Sequence, residues 1–413
     1  MRALLITIGD ELLIGQVLNS NAAFIARALN SIGIEIHRVL TIGDNLDDIV
    51  TSIEEGMSGY FLTIITGGLG PTHDDITKKA LCKYFRTELV PNDEARENVK
   101  RYLQLRNAPW TDAAEEQSRI PAGATIIPNL RGTASGLLFE RGGNHCIVMP
   151  GVPHEMEAMT ANWVLPAFAP KATGMVILHR TLKTTGIAES ILAEKIGDPG
   201  SFLEGASLAY LPSASGVRLR ITVSETDAAA AGMLVHRIES HIRSRAGRYI
   251  YGTDEEELEE ILGKLLTARK LRIAVAESCT GGLVADKITN VPGSSVYFQC
   301  GVIAYSNRSK TELLGVPEEF LAAHGAVSKE VAEAMAEGIR KSGHADIGIS
   351  TTGIAGPTGG TPEKPEGLVW IGYADGTGTV AVRFLFGTGR ILVKERASQA
   401  AVDLVRKKIL NLE

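Results

Sequence analysis

In its first 90 residues the chain alternates short β-rich apolar runs with helical segments, and few folds accommodate that order. Residues 3–8 form the first run. Asn21 is placed to cap a helix that extends through Leu29 and stops at Gly33. Residues 34–40 make the second run, Asp44 or Asn45 starts a second helix, and residues 61–66 make the third run, which enters Gly67-Gly68. Residues 74–84 continue as helix. A β-α-β-α-β-α order predicts a parallel sheet with helices on both faces. Ligands of such sheets bind at the carboxyl ends of the strands. The turns at Gly9-Asp10-Glu11, Asp44-Asn45 and Gly67-Gly68 each follow a strand and are expected to gather at one rim.

At 413 residues the chain is long enough for two or three domains. Apolar periodicity breaks near residues 166–170. A segment from about Met175 to Gly252 then reads strand (176–182), helix (188–196), strands (208–211 and 217–223), helix (228–245) and a short strand at Tyr249. This small β-α-β-β-α-β unit carries no catalytic cluster and reads as a spacer or dimerisation module. A third region opens with Thr253 or Asp254 as a helix cap and Glu255-Glu256-Glu257 in the first turn. Strands follow at 272–276, 302–305, 347–351, 368–373 and 380–386, then a last helix over 391–410. The expected architecture is α/β throughout, in three domains: 1–170, 171–252 and 253–413.

Composition narrows the function classes. Apolar residues are 44%, charged residues 22% and the net charge is -6, a globular profile with no whole-face attraction for nucleic acid or an anionic membrane. Arg237, Arg243, Arg245 and Arg248 leave room for a local basic patch. Cys82, Cys146, Cys279 and Cys300 form no Cys-x-x-Cys pair and read as reduced thiols. With no apolar stretch near the ~20 residues of a membrane helix, a cytoplasmic location is expected.

Two regions carry the residue types that chemistry needs. In the first, Gly67, Gly68 and Gly70 let backbone N–H groups approach a phosphate, while Asp74 and Asp75 suit one that arrives with a divalent cation. A helix cap alone is the lesser reading of those acids. Asp10 and Asp44 point to the same rim, and Glu155, after Met149-Pro150-Gly151, can ligate a metal or complement a helix dipole. Oxygen donors of this kind suit Mg²⁺ or Mn²⁺. In the third region Ser278 follows a β-rich run and precedes a helix, where a nucleophile is exposed. Cys279 is the rival nucleophile, although a small buried cysteine is the plainer reading. Lys310, in Tyr305-Ser306-Asn307-Arg308-Ser309-Lys310, can act as a base if burial keeps it neutral; spacing alone favours a solvated helix lysine. The loop Gly353-Ile354-Ala355-Gly356-Pro357-Thr358-Gly359-Gly360-Thr361 has the composition to wrap a phosphate or to be a structural turn.

These motifs carry a resemblance over nearly the whole chain. Gly9-Asp10-Glu11-Leu12-Leu13, Gly67-Gly68-Leu69-Gly70-Pro71-Thr72 with Asp74-Asp75-Ile76-Thr77, and Met149-Pro150-Gly151-Val152-Pro153 resemble the competence/damage-inducible CinA family. So do Ala276-Glu277-Ser278-Cys279-Thr280-Gly281-Gly282, Tyr305-Ser306-Asn307 with Lys310, Gly325-Ala326-Val327-Ser328 and Thr352-Gly353-Ile354-Ala355-Gly356-Pro357. The resemblance implies a molybdopterin-binding-like three-layer first domain that acts as an ADP-ribose pyrophosphatase with Mg, Mn or Co, held by Asp10, Asp44, Asp75 and Glu155. It implies a third domain that deamidates nicotinamide mononucleotide without a cofactor, using Ser278 and Lys310 with Tyr305 assisting. Substrate contacts are expected from Thr280, Gly281, Gly282, Asn307, Thr352, Gly353, Gly356 and Arg390, and from Gly67, Gly68 and Gly70 in the first domain. Leu69 replaces the threonine usual in the wider superfamily, against a role in molybdenum cofactor synthesis. Gly389-Arg390 and Lys394 replace a usual Asp-Arg and arginine. A non-enzymatic nucleotide-binding regulator is the other class. The expected partners are small nucleotides, with neither nucleic acid nor membrane, and a homodimer.

Overall fold

The structure is a computed structural model that describes residues 1–70, 75–171 and 176–412. By internal packing the chain divides into two compact units, Met1–Leu178 with Ser224–Gly232, and His179–Val223 with Met233–Glu413. Among the described residues no helix is long and apolar enough to cross a membrane.

The first unit is a three-layer α/β structure. Its strands are β1 (Arg2–Ile8), β2 (Glu35–Ile42), β3 (Leu62–Thr66), β4 (Leu89–Pro91), β5 (Arg119–Pro121), β6 (Thr125–Ile127), β7 (Gly136–Arg141) and β8 (Asn144–Met149). Six of them form a sheet in the order β2-β1-β3-β8-β7-β6. β2, β1, β3 and β8 are parallel, as the alternating order predicts. β7 and β6 instead run antiparallel. Gly142 and Gly143, both at positive φ (62° and 83°), close a two-residue hairpin between β7 and β8, which only near neighbours in an antiparallel pair can share. Side chains alternate across the parallel strands. Leu4, Ile6 and Ile65 pack into one apolar layer, and Ala3, Leu5 and Ile64 into the other.

In the second unit β9 (Val176–Thr184), β10 (Ser207–Ser213), β11 (Gly216–Glu225) and β12 (Ile250–Thr253) make a four-stranded sheet ordered β10-β11-β9-β12. With helices Glu189–Ile196 and Ala228–Ala246 this is the β-α-β-β-α-β order read from the sequence. β13 (Ile273–Glu277), β14 (Phe298–Ile303), β15 (Ile347–Gly353), β16 (Leu368–Asp375) and β17 (Gly378–Leu385) form a second sheet ordered β14-β13-β15-β16-β17. β14, β13 and β15 are parallel, and β16 and β17 add antiparallel. The last helix, Arg390–Leu410, buries Val393, Ala397, Val402 and Val405 against this sheet's core.

Three local readings change. Asn19, not Asn21, caps the helix Ser20–Asn30, because its side chain accepts from Ala22 N, while buried Asn21 donates to Gly151 O at 2.8 Å. Thr253 ends β12, and the next helix begins only at Leu258. There Glu257 forms a capping box with Glu260, so the glutamate run supplies the cap itself. The helix expected over 74–84 is Thr77–Phe85; its proposed start at Asp74, with Pro71, Thr72 and His73, lies outside the described residues, as does Met175.

Candidate active sites

In the second unit β13, β15 and the start of helix Asn307–Leu314 bring one serine and one lysine together. β13 is buried along its whole length, so its end at Glu277 is fixed, and Ser278 N donates to Thr351 O (2.9 Å), tying the next residue to β15. Glu277 is buried. Its carboxylate accepts from Gly282 N (2.9 Å), Val284 N (3.1 Å) and Ala285 N (2.8 Å), so it anchors the helix Leu283–Thr289 that follows Ser278. Ser306 caps the helix Asn307–Leu314, which turns Lys310 inward.

Lys310 is 1% exposed and Ser278 8%. Lys310 Nζ lies 3.0 Å from Ser278 Oγ, 2.8 Å from Ala304 O and 3.2 Å from Tyr305 O. Burial holds the lysine below its ordinary pKa, with a smaller opposing pull from the Cys279 thiol. A neutral amine has two N–H donors and one lone pair. The two carbonyls can take both donors, which leaves the lone pair facing the serine hydroxyl. Cys279 is buried as well, and burial pushes its thiol up to about 12, so it stays protonated at neutral pH. The sequence left serine and cysteine as rivals; the lysine contact distinguishes them.

A cleft of about 340 Å³ opens over this pair, lined by Ser278, Tyr305, Lys310, Thr352, Gly353, Gly356 and Arg390 among others. Arg390 donates to Gly356 O (3.1 Å) and to the Tyr305 hydroxyl (3.0 Å). Tyr305 is thus held at the mouth, and among the described residues its hydroxyl bonds neither Ser278 nor Lys310. Thr280, Gly281, Gly282 and Asn307 do not line the cleft. Thr280 pairs with Thr351 (2.6 Å), the Gly282 amide is taken by Glu277, and Asn307 is exposed on its helix. Ala326, Val327, Ile354, Ala355, Thr358 and Gly359 do line it. Their signal in the sequence was the glycine-rich composition of 353–361 and the Gly325-Ala326-Val327-Ser328 turn, neither of which specified side chains. Lys394 Nζ stands 3.5 Å from where a Cβ on Gly281 would lie, which adds positive charge beside the Ser278 turn.

In the first unit the three strand-end turns meet as expected. A cleft of about 400 Å³ is lined by Gly9, Glu11, Asp44, Gly67, Gly68, Gly70, Asp75 and Glu155, with Leu69 and Gly151. Gly67 has φ 110°, and a Cβ there would run into the carbonyl of Ile8, so only glycine allows this crossing of β1 and β3 ends. Asp75 Oδ1 accepts from Gly70 N (2.7 Å), closing the glycine turn, and Glu155 Oε2 accepts from Asn129 Nδ2 (2.6 Å). Asp10 Oδ1 accepts from Asp44 N and Asp44 Oδ2 from Asp10 N (3.3 and 3.2 Å), so these two acids splice their loops together. Asp10 does not line the cleft; Glu11 beside it does. Leu69 is 1% exposed, an apolar residue at this turn.

The carboxylates of Asp44, Asp75 and Glu155 are oxygen donors suited to a hard divalent cation. Among the described residues no three His, Cys, Asp or Glu side chains are already gathered as a metal-binding group. An open ring of carboxylates fits an ion that brings phosphate oxygens of its own, as Mg²⁺ commonly does.

Comparison with known proteins follows the same division. Residues 4–170 match the family described as "Probable molybdopterin binding domain", residues 179–252 the damage-inducible protein CinA KH domain, and residues 255–409 the CinA C-terminal domain. A CinA-like protein of Chloroherpeton thalassium is 45% identical over 416 residues, covering 98% of this chain and 99% of its own. A CinA-like protein of Kosmotoga olearia is 43% identical over 413 residues, with 100% of both chains covered. The crystal structure of competence/damage inducible protein CihA from Agrobacterium tumefaciens is 35% identical, covers 36% of this chain and 92% of its own, and has a TM-score of 0.36.

Proposed function

Taking as premise that this chain belongs to the CinA family, we propose that its second unit hydrolyses the carboxamide of nicotinamide mononucleotide through Ser278 and Lys310. The observation that carries the reading is the 3.0 Å contact between a buried lysine amine and a serine hydroxyl at the floor of a cleft. A mere nucleotide binder has no use for a buried lysine held against a serine.

The chemistry runs as an acyl transfer. Neutral Lys310 takes the proton from Ser278 Oγ as that oxygen bonds to the carboxamide carbon. The Lys310 proton passes to the leaving nitrogen as the C–N bond breaks, and ammonia departs. Water then attacks the acyl-serine, giving its proton to Lys310, and that proton passes to Ser278 Oγ as its C–O bond breaks, which releases nicotinic acid mononucleotide and restores neutral Lys310. One water is consumed and one ammonia produced. Arg390 supplies positive charge for the phosphate at the mouth, and Tyr305 holds it in place. Release of ammonia from nicotinamide mononucleotide by the purified chain, and its loss in Ser278→Ala, tests the assignment.

For the first unit we propose hydrolysis of ADP-ribose to AMP and ribose 5-phosphate. The glycine turn 67–70 and the ring of Asp44, Asp75 and Glu155 around one cleft support it. A divalent cation, when bound, would neutralise the diphosphate, with those three carboxylates as its protein ligands. The turn's backbone can approach phosphate oxygens closely, and Glu155 is oriented by Asn129.

A further inference from the structure

The second unit contains a cavity of about 550 Å³, larger than the cleft over Ser278. Its walls are the turn 185–189 after β9, the β10–β11 hairpin at 212–217, the end of β17 and the last helix. A cavity of this size with a few polar groups on apolar walls is the usual form of a small-molecule site.

Gln399 marks what would enter. It lines the cavity, is only 5% exposed, and its carboxamide makes no hydrogen bond among the described residues. Its amide atoms are not sealed in the packed interior but open onto the cavity, where a ligand can pair with them. The group offers a donor and an acceptor side by side, which match the edge of a nucleobase. Phe384 and Phe386 line the same cavity with rings 5.3 Å apart and nearly parallel, an apolar wall for a planar ring. Arg396 gives one hydrogen bond to Phe386 O and forms no ion pair among the described residues. Helix Glu189–Ile196 begins at the wall with Ala188 as its cap and no side-chain cap, so its first N–H groups favour an anion. The acid in the wall, Asp403, is already paired with Arg406 (2.8 Å) and Lys407 (2.7 Å) and does not repel one strongly; Glu189 is exposed at the rim.

We propose that this cavity is a nucleoside monophosphate site, separate from the Ser278 cleft, with the base edge on Gln399 and the phosphate toward Arg396 and the Glu189–Ile196 helix start. Phe386 lines this cavity and Arg390, four residues on, lines the Ser278 cleft, so occupancy bears directly on the segment that carries Arg390.

Photolabelling of the full chain with 8-azido-AMP, competed by AMP and mapped by mass spectrometry, tests the site where it lies. The expected result is label on residues 185–189, 212–217 or 396–407, reduced at least about tenfold in folded Gln399→Leu. If Gln399→Leu does not fold, Gln399→Glu, of equal size, should lose the label because a carboxylate offers no donor to the base edge. Label confined to peptides outside those three segments, or undiminished in the folded variant, overturns the proposal.

Discussion

Ser278→Ala removes the attacking oxygen and Lys310→Ala removes the group that takes its proton, so each deletion disables one unit rather than half of it. The double variant is therefore expected to be no worse than either single one, with all three down by about 10³-fold or more in kcat/KM. Cys279→Ala should keep most activity, since its thiol, pushed up to about 12 by burial, is not a thiolate at working pH. The reverse pattern, an active Ser278→Ala and a dead Cys279→Ala, would transfer the nucleophile to sulfur. Lys310 acts only when neutral, and burial lowers its pKa. Activity should thus rise with pH through a limb whose midpoint lies below the 10.5 of an ordinary lysine. A kcat/KM profile that is flat, or that rises only at the ordinary lysine value, contradicts the base assignment. Spacing alone reads Lys310 more readily as a solvated helix lysine, and only the CinA resemblance pairs it with Ser278. Spacing could not show the contact, because 32 residues separate the two and the pairing of β13 with β14 and β15 closes that gap.

At the level of elements, Glu277 joins the end of β13 to the helix after Ser278. Glu277→Gln keeps the shape but loses the charge on three amide acceptor contacts. Hydrogen bonds to a charged group contribute roughly 1.5–3 kcal/mol each, and an amide in that place presents a donor to donors, so a loss of about 2–4 kcal/mol in unfolding free energy is expected. An unchanged denaturant midpoint would show that the carboxylate does not hold the turn. Element types along the middle segment followed from period-two and helical patterning, and the turns at Gly9, Asp44 and Gly67 were placed correctly at one rim. What the pattern could not show was β6 and β7, which it does not mark as strands, or direction: β16 and β17 read as strands without one, and β6, β7, β16 and β17 all join their sheets by antiparallel pairing. Caps also shifted by a few residues, at Asn19 and Glu257, since several Asn or Glu neighbours satisfy the same local signal and tertiary contacts, such as Asn21 with Gly151, choose among them.

Across the whole molecule, the two proposed activities rest on different chemistry and should separate cleanly. Excess chelator is expected to abolish ADP-ribose cleavage and leave amide hydrolysis intact; full cleavage in chelator would remove the cation from the first unit's reaction. Asp75→Asn retains an acceptor for Gly70 N while losing the charge, so it should cut ADP-ribose cleavage by about 10²-fold or more with the fold preserved and ammonia release unaffected. Loss of both activities together would point to a folding defect. The central claim is the Ser278–Lys310 amidase, and the direct measurement is ammonia and nicotinic acid mononucleotide formed from nicotinamide mononucleotide by the intact chain in the presence of chelator. The expected result is one ammonia per nicotinic acid mononucleotide, sustained over many turnovers and absent in folded Ser278→Ala. No ammonia from the folded parent chain, or undiminished turnover in Ser278→Ala, would contradict it.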